Sequence, residues 1–320
     1  MVNRHNVGRG SRSCVLTILG VEVLAVRAHG LVGSFFTADR GPRPGVVALG
    51  GSEGGCPTHI ARLLATEGFS CLALSYFGAA GLPGHLVEVP LEYLETALRW
   101  FTERPEVHGD RVGLLGASKG AELALLAAAL LPETVGAVAA YAPSSVAFAG
   151  IAFRGDGRRR SSWSFRGAPV PFVPYPPRVR PSLGARGLSL YPLYRAALDD
   201  TEAVALAAIP IERADASILL IAGGRDRMWP SAAMADMLEA RLTAAGKNDQ
   251  VVQLRFDDAG HSFMPWAPDG GSELVGRVFN GLRLLGVGGL FDLGGRPKAN
   301  RAALREAWPE AVAFFQAKLT

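Results

Sequence analysis

The stretch RVGLLGASKGAELALLAAALL, residues 111–131, changes its hydrophobic pattern halfway along. The first half is a short apolar run broken by glycine, which suits a strand buried on both faces of a parallel sheet. The second half, AELALLAAALL, is rich in alanine and leucine, which suits a helix. Between them stands Gly116-Ala117-Ser118-Lys119-Gly120, a G-x-S-x-G. A serine there sits on a sharp strand-to-helix turn with its hydroxyl exposed at the strand end. Glycines two residues to either side relieve the crowding of that turn. The helix start then directs N–H groups and its dipole at negative charge forming on a bound carbonyl.

Strand and helix patterns alternate outward from this turn. VEVLAVR (21–27) and LVGSFF (31–36) read as an antiparallel lead-in pair. GVVALGG (45–51) and FSCLALSY (69–76) read as strands, with a helix around Ile60–Glu67 between them. Pro90 opens a helix whose stripe is Leu91, Leu94, Leu98 and Phe101. VGAVAAYAP (135–143), SILLIAGG (217–224) and QVVQLRF (250–256) supply later strands; helices are expected over 231–245 and from about Ala302 to Lys318. This order predicts an α/β fold with a mostly parallel central sheet flanked by helices. It places one domain over residues 21–320, behind a flexible leader of residues 1–20. Residues 145–200, rich in Arg, Pro and aromatics, interrupt the alternation and read as an irregular insertion, or lid, covering a site.

The 320 residues carry 33 Lys+Arg against 29 Asp+Glu, a formal +4. The surplus is localised. Residues 154–187 hold eight Arg and one acid, Asp156, and Arg4, Arg9 and Arg12 add three more charges at the start. Removing those two segments leaves the rest of the chain at −6. A nucleic-acid module spreads its charge over a folded face, so no nucleic-acid partner is expected. No run reaches the roughly 18 apolar residues of a membrane span. Cys14, Cys56 and Cys71 are odd in number and form no CxxC pair. That fits a reducing compartment, with a cytoplasmic placement expected, and calls for no metal. No cofactor is called for either.

A second G-x-S-x-G, Gly50-Gly51-Ser52-Glu53-Gly54, also follows a strand. Gly54, Gly55 and Pro57 delay its helix, so Ser52 cannot stand at a helix start as Ser118 does. This loop is instead where such folds place the second oxyanion donor. Ser118 is therefore the expected nucleophile. The backbone of Lys119, with Gly51 or Ser52, is the expected oxyanion hole. A serine needs a base, and the base an orienting acid, in the chain order serine, acid, histidine. Asp226 and His261 each follow a late strand, at the sheet edge where open α/β folds bind ligands. His59, just past the oxyanion loop, is the rival base, and Asp257 and Asp258 are alternative acids. Arg158, Arg159 and Arg160, inside the insertion, are candidate phosphate contacts, with a solvated charged face as the competing reading.

With these residues in place, the sequence resembles the catalytic domain shared by acyl-CoA thioesterases and bile-acid-CoA:amino-acid N-acyltransferases, within the α/β-hydrolase superfamily. The resemblance rests on RPGVVALGGSEGG, LEYLETALRWFTERPEVHGDRVGLLGASKGAELAL, IPIERADASILLIAGGRDRMWPS, DDAGH and GGRPKANRAALREAW. It implies nucleophile, acid and base roles for Ser118, Asp226 and His261. It also implies that serine, rather than cysteine, at the turn accompanies thioester hydrolysis. The expected partner is a small-molecule acyl thioester or ester, possibly CoA-linked. Alternatives are a biosynthetic acyltransferase or condensing enzyme using the same acyl-enzyme, a dienelactone-hydrolase-like esterase or lactonase, and a non-catalytic ligand binder. Full-size members carry a β-domain ahead of the catalytic domain, for which this sequence has about 20 residues; the resemblance thus implies a narrower claim on long-chain acyl groups.

Overall fold

The computed structural model describes residues 15–18, 21–38, 41–152, 155–265 and 287–320. The sheet strands are β1 (Val15–Ile18), β2 (Val21–Val26), β3 (Val32–Thr37), β4 (Arg43–Leu49), β5 (Ser70–Ser75), β6 (Val107–Ala117), β7 (Val135–Tyr141), β8 (Ser217–Gly223) and β9 (Val251–Phe256). They lie side by side in the order β1-β2-β3-β5-β4-β6-β7-β8-β9. The first three and the β3–β5 pairing are antiparallel, and from β5 through β9 every neighbour is parallel. The expected lead-in pair and parallel core are both present. Part of the expected flexible leader, Val15–Ile18, is instead an edge strand registered on β2; the basic residues Arg4, Arg9 and Arg12, with Cys14, lie outside the described residues.

Burial on both faces explains the unbroken apolar runs. Successive strand residues point to opposite sides, and here each side meets helices. Val47, Leu49, Leu72, Leu74, Leu114, Ile218 and Leu220 join the core shared with α2 (Leu91–Thr102), α3 (Lys119–Leu130) and α6 (Ser231–Ala244). Val46, Ala48, Cys71, Ala73, Leu115, Leu219 and Ile221 join the core beneath α1 (Thr58–Thr66) and α7 (Pro297–Leu319). Each fully buried Val or Leu contributes about 1.5–3 kcal/mol. Helix α7 begins five residues before the expected Ala302, because Pro297 supplies a fixed φ where no N–H is required. No described helix is long and apolar enough to cross a membrane.

The insertion departs from the irregular stretch expected. It contains short strands at Trp163–Phe165, Ala168–Pro169, Ser182–Gly184 and Gly187–Ser189, then α4 (Tyr191–Ala197), and α5 (Thr201–Ala207) follows directly after it. Val146, Phe148, Val173, Tyr194 and Ala197 form a third apolar cluster with Trp229 and Met234. Proline density conceals this order, because each ring removes a donor and fixes φ without preventing aromatic packing. The segment, expected as a cover, is ordered and packed rather than irregular.

Candidate active site

Ser118 joins the end of β6 to the first residue of α3, at φ 55° and ψ −118°. A non-glycine residue in that region is strained by about 1–3 kcal/mol and persists only where its surroundings over-determine it. Here they do. The Ser118 N–H donates to Tyr141 O at 2.9 Å, while Ala121 N–H and Glu122 N–H donate to Ser118 O at 2.9 and 3.0 Å. A Cβ on Gly116 would collide with Gly120 O, and one on Gly120 with Gly50 O. The two flanking glycines are thus where three backbone segments meet.

Helix α3 is buried from Lys119 to Ala129, as an apolar-all-round helix must be, yet it carries two charges. Lys119 Nζ lies 2.7 and 2.9 Å from the two carboxylate oxygens of Glu122. Glu122 Oε1 also accepts from Trp163 Nε1 at 2.7 Å and Phe148 N–H at 3.1 Å. Lys119 Nζ lies 5.9 Å from the ring centroid of Phe148 and 5.7 Å from that of Trp163. Burial pulls the Lys119 pKa down and pushes that of Glu122 up, and their mutual attraction opposes both shifts. This network joins the residue after Ser118 to the cover. Sequence reading missed it; the available signal was a lone glutamate in an otherwise apolar helix.

Asp226 follows β8 and His261 follows β9, and the parallel β8–β9 register delivers both to the same sheet edge. Their side chains meet, with Asp226 Oδ2 2.8 Å from His261 Nδ1. Asp226 Oδ1 accepts from Met228 N–H at 2.8 Å and Trp229 N–H at 3.2 Å, and Oδ2 accepts from Ser231 Oγ at 2.6 Å. The backbone around His261 is pinned by His261 N–H to Leu293 O (2.7 Å) and Gly260 N–H to Asn300 Oδ1 (2.8 Å). The Trp229 ring meets His261 edge-on at 5.8 Å and stacks on Phe148 of the cover at 6.0 Å. The rival residues are occupied elsewhere. Asp257 bonds Arg255, Asp258 bonds Arg225 and Arg296, and His59 lies on α1, where burial and then Arg62 lower its pKa.

The Gly50–Gly54 loop packs against the Ser118 turn. A Cβ on Gly51 would lie 3.4 Å from Ser118 Cβ, so Gly51 lies beside Ser118, while Ser52 is exposed. Tyr76 Oη donates to Gly50 O at 2.6 Å, fixing the loop from below. The Gly51 N–H donates to Glu53 Oε1 at 3.1 Å, a partner that spacing alone did not reveal. Arg158, Arg159 and Arg160 lie on an exposed turn of the cover. Arg160 Nε donates to Glu88 Oε1 at 3.0 Å, which ties the turn to the segment before α2. Cys71 is a core residue of β5, and burial raises its thiol pKa well above the ordinary value; Cys56 Sγ contacts Ala73 O at 3.2 Å.

Residues 89–320 match the family described as BAAT / Acyl-CoA thioester hydrolase C terminal. Acyl-coenzyme A thioesterase 1 of Mus musculus is 32% identical over 286 residues, which are 89% of this chain and 62% of the relative. The chain thus spans less than two thirds of the length of that relative. Among solved structures, a dienelactone hydrolase-like promiscuous phosphotriesterase from metagenomic libraries superposes with a TM-score of 0.53 at 17% identity, covering 97% of this chain and 98% of its own. The thermophilic carboxylesterase EstE1, also cloned from a metagenomic library, gives 0.52 at 15% identity, with 97% and 89% covered. These likenesses fix the fold as that of the α/β hydrolases, and by its match over residues 89–320 the chain belongs to the BAAT / acyl-CoA thioester hydrolase C-terminal family.

Proposed function

We propose that this chain is a serine acyl hydrolase that cleaves a thioester, with an acyl-CoA as the substrate class. The observation that carries the reading is the Asp226–His261 contact at 2.8 Å, on the sheet edge where Ser118 occupies its strained turn. Asp226 holds the Nδ1 proton of His261, so Nε2 serves as the base. His261 takes the proton of Ser118 Oγ as the oxygen attacks the thioester carbonyl. The oxyanion is held by the Lys119 N–H at the head of α3 and by the Gly51 backbone. His261 then protonates the departing thiol. In the second half water, deprotonated by the same imidazole, attacks the acyl carbonyl, and His261 returns that proton to Ser118 Oγ as the ester bond breaks and the acid leaves. Each oxyanion donor is worth about 3 kcal/mol of barrier. The name of the mouse relative, an acyl-coenzyme A thioesterase, supports the thioester assignment.

Steady-state hydrolysis of a panel of acyl-CoA thioesters, run with a fluorophosphonate label, tests the reading. Ser118→Ala is expected to abolish both turnover and labelling while leaving the protein folded. Retention of more than a few per cent of turnover on every responsive thioester would remove Ser118 from the mechanism.

A further inference from the structure

The acid loop, residues 224–227, forms part of the wall of a cavity of about 450 Å³, together with Arg186, Tyr191 and Arg296. Four guanidinium groups on one cavity are unusual, because like charges repel unless something anionic is shared between them. Here two carboxylates are shared, each by two arginines. Asp258 lies 2.6 Å from Arg225 Nε and 3.2 Å from Arg296. Asp292 lies 2.7 Å from Arg227 Nε and 3.3 Å from Arg186. The cavity therefore has twice as many guanidiniums as partner carboxylates. A third acid, Asp226, is turned toward His261, Ser231 and two backbone N–H groups.

The arginines also keep donors to spare. Arg227 Nε is buried and, although close to Asp292, makes no aligned hydrogen bond. The side chains of Arg225 and Arg296 are 53% and 62% exposed. Each guanidinium offers five N–H donors in a planar fork that matches phosphate oxygens bidentately. Tyr191, 37% exposed at the start of α4, adds an aromatic face to the same wall. Guanidinium forks beside an aromatic ring suit a phosphorylated, ring-bearing ligand rather than a plain acyl chain.

We propose that this cavity binds the phosphate groups of a nucleotide-bearing carrier, with Arg225, Arg227 and Arg296 as the phosphate contacts and Tyr191 beside the base. The inference rests on the thioesterase reading for its place in turnover, since the carrier would then be the leaving thiol's own nucleotide. It assigns the anion-binding role to the acid-loop cavity. Arg158 and Arg159 of the cover stand outside that cavity.

The test pairs Arg225→Gln/Arg296→Gln with Arg158→Gln/Arg159→Gln in the full chain, all four positions being solvent-accessible. Binding of inorganic pyrophosphate and of an adenosine bisphosphate is measured by calorimetry. KM is measured for an acyl-CoA and for the same acyl group on a nucleotide-free thiol. Loss of two charged contacts, both screened by solvent, is expected to weaken nucleotide binding about tenfold. It should raise KM for the acyl-CoA by a similar factor, and by more than for the nucleotide-free thioester. If the cover variant shows that loss and the cavity variant does not, the proposal is overturned. Equal KM changes on both thioesters would overturn it as well. Nucleotide binding that depends on Arg225 and Arg296 in a protein that hydrolyses no thioester would support the cavity and overturn the thioesterase reading instead.

Discussion

Lys119 Nζ grips both carboxylate oxygens of Glu122, at 2.7 and 2.9 Å, inside a helix that is buried throughout. A buried pair of this kind gains little over apolar packing, but removing one partner strands the other charge at about 3–5 kcal/mol. Lys119→Met is therefore expected to destabilise the protein by about that much. Glu122→Gln strands the buried Lys119 ammonium in its turn and should cost a similar amount, although its amide oxygen can still accept from Trp163 Nε1 and Phe148 N–H. The combined Lys119→Met/Glu122→Gln variant should fall well short of the summed single losses. Urea unfolding of the three variants checks these losses, and full additivity would mean that the pair is not coupled.

Ser118 shows the opposite balance. Its φ of 55° is held against intrinsic preference, and glycine adopts that region without a Cβ penalty. Ser118→Gly is expected to raise unfolding free energy by about 1 kcal/mol, less than the full strain because glycine also loses more entropy on folding. The same change removes the proposed nucleophile. A variant that is both less stable and inactive would show that the turn carries no strain.

Legibility in the sequence followed the range of the forces involved. The parallel strands were readable because burial on both faces writes an uninterrupted apolar run into residues such as Val46–Leu49 and Ile218–Ile221. Gly116 and Gly120 were readable because close backbone approach admits only hydrogen at Cα. The meeting of Asp226 with His261 was expected from chain order, and the structure brings those two side chains together. The cover was not readable. Its short strands and α4 are held by contacts distant in sequence, such as Phe148 on Trp229 and Tyr194, and no local period records them. Glu53 was missed for a related reason, since its carboxylate takes the Gly51 N–H within a turn whose glycines permit many shapes.

That Glu53 contact bears directly on the proposed chemistry. The Gly51 backbone lies against Ser118, and its N–H is engaged by a carboxylate at 3.1 Å. A negative charge there competes for the donor and repels a developing oxyanion. Glu53→Gln keeps the side chain's size but lowers both effects, so kcat is expected to rise by up to about tenfold, worth about 1.4 kcal/mol. Pre-steady-state acylation with a chromogenic thioester measures the step. A fall in the acylation rate would show instead that Glu53 holds the Gly51 amide in its working orientation.

Glu88 gives the cover a pH dependence. Its bond to Arg160, and secondarily the charge of that guanidinium, hold the Glu88 pKa below the ordinary 4.5. A carboxyl whose pKa is lower in the folded state binds protons more readily when unfolded. Its contribution is therefore complete above the ordinary value and is lost as pH falls through the lower, folded one. Both side chains are solvent-accessible, so the contribution is small. The Tm difference between the native protein and Glu88→Gln is accordingly expected to be constant near neutrality and to shrink toward zero under acid, below pH 4.5. Thermal melts across that range decide the matter: a difference that widened under acid would mean that folding raises the Glu88 pKa, against the contact with Arg160.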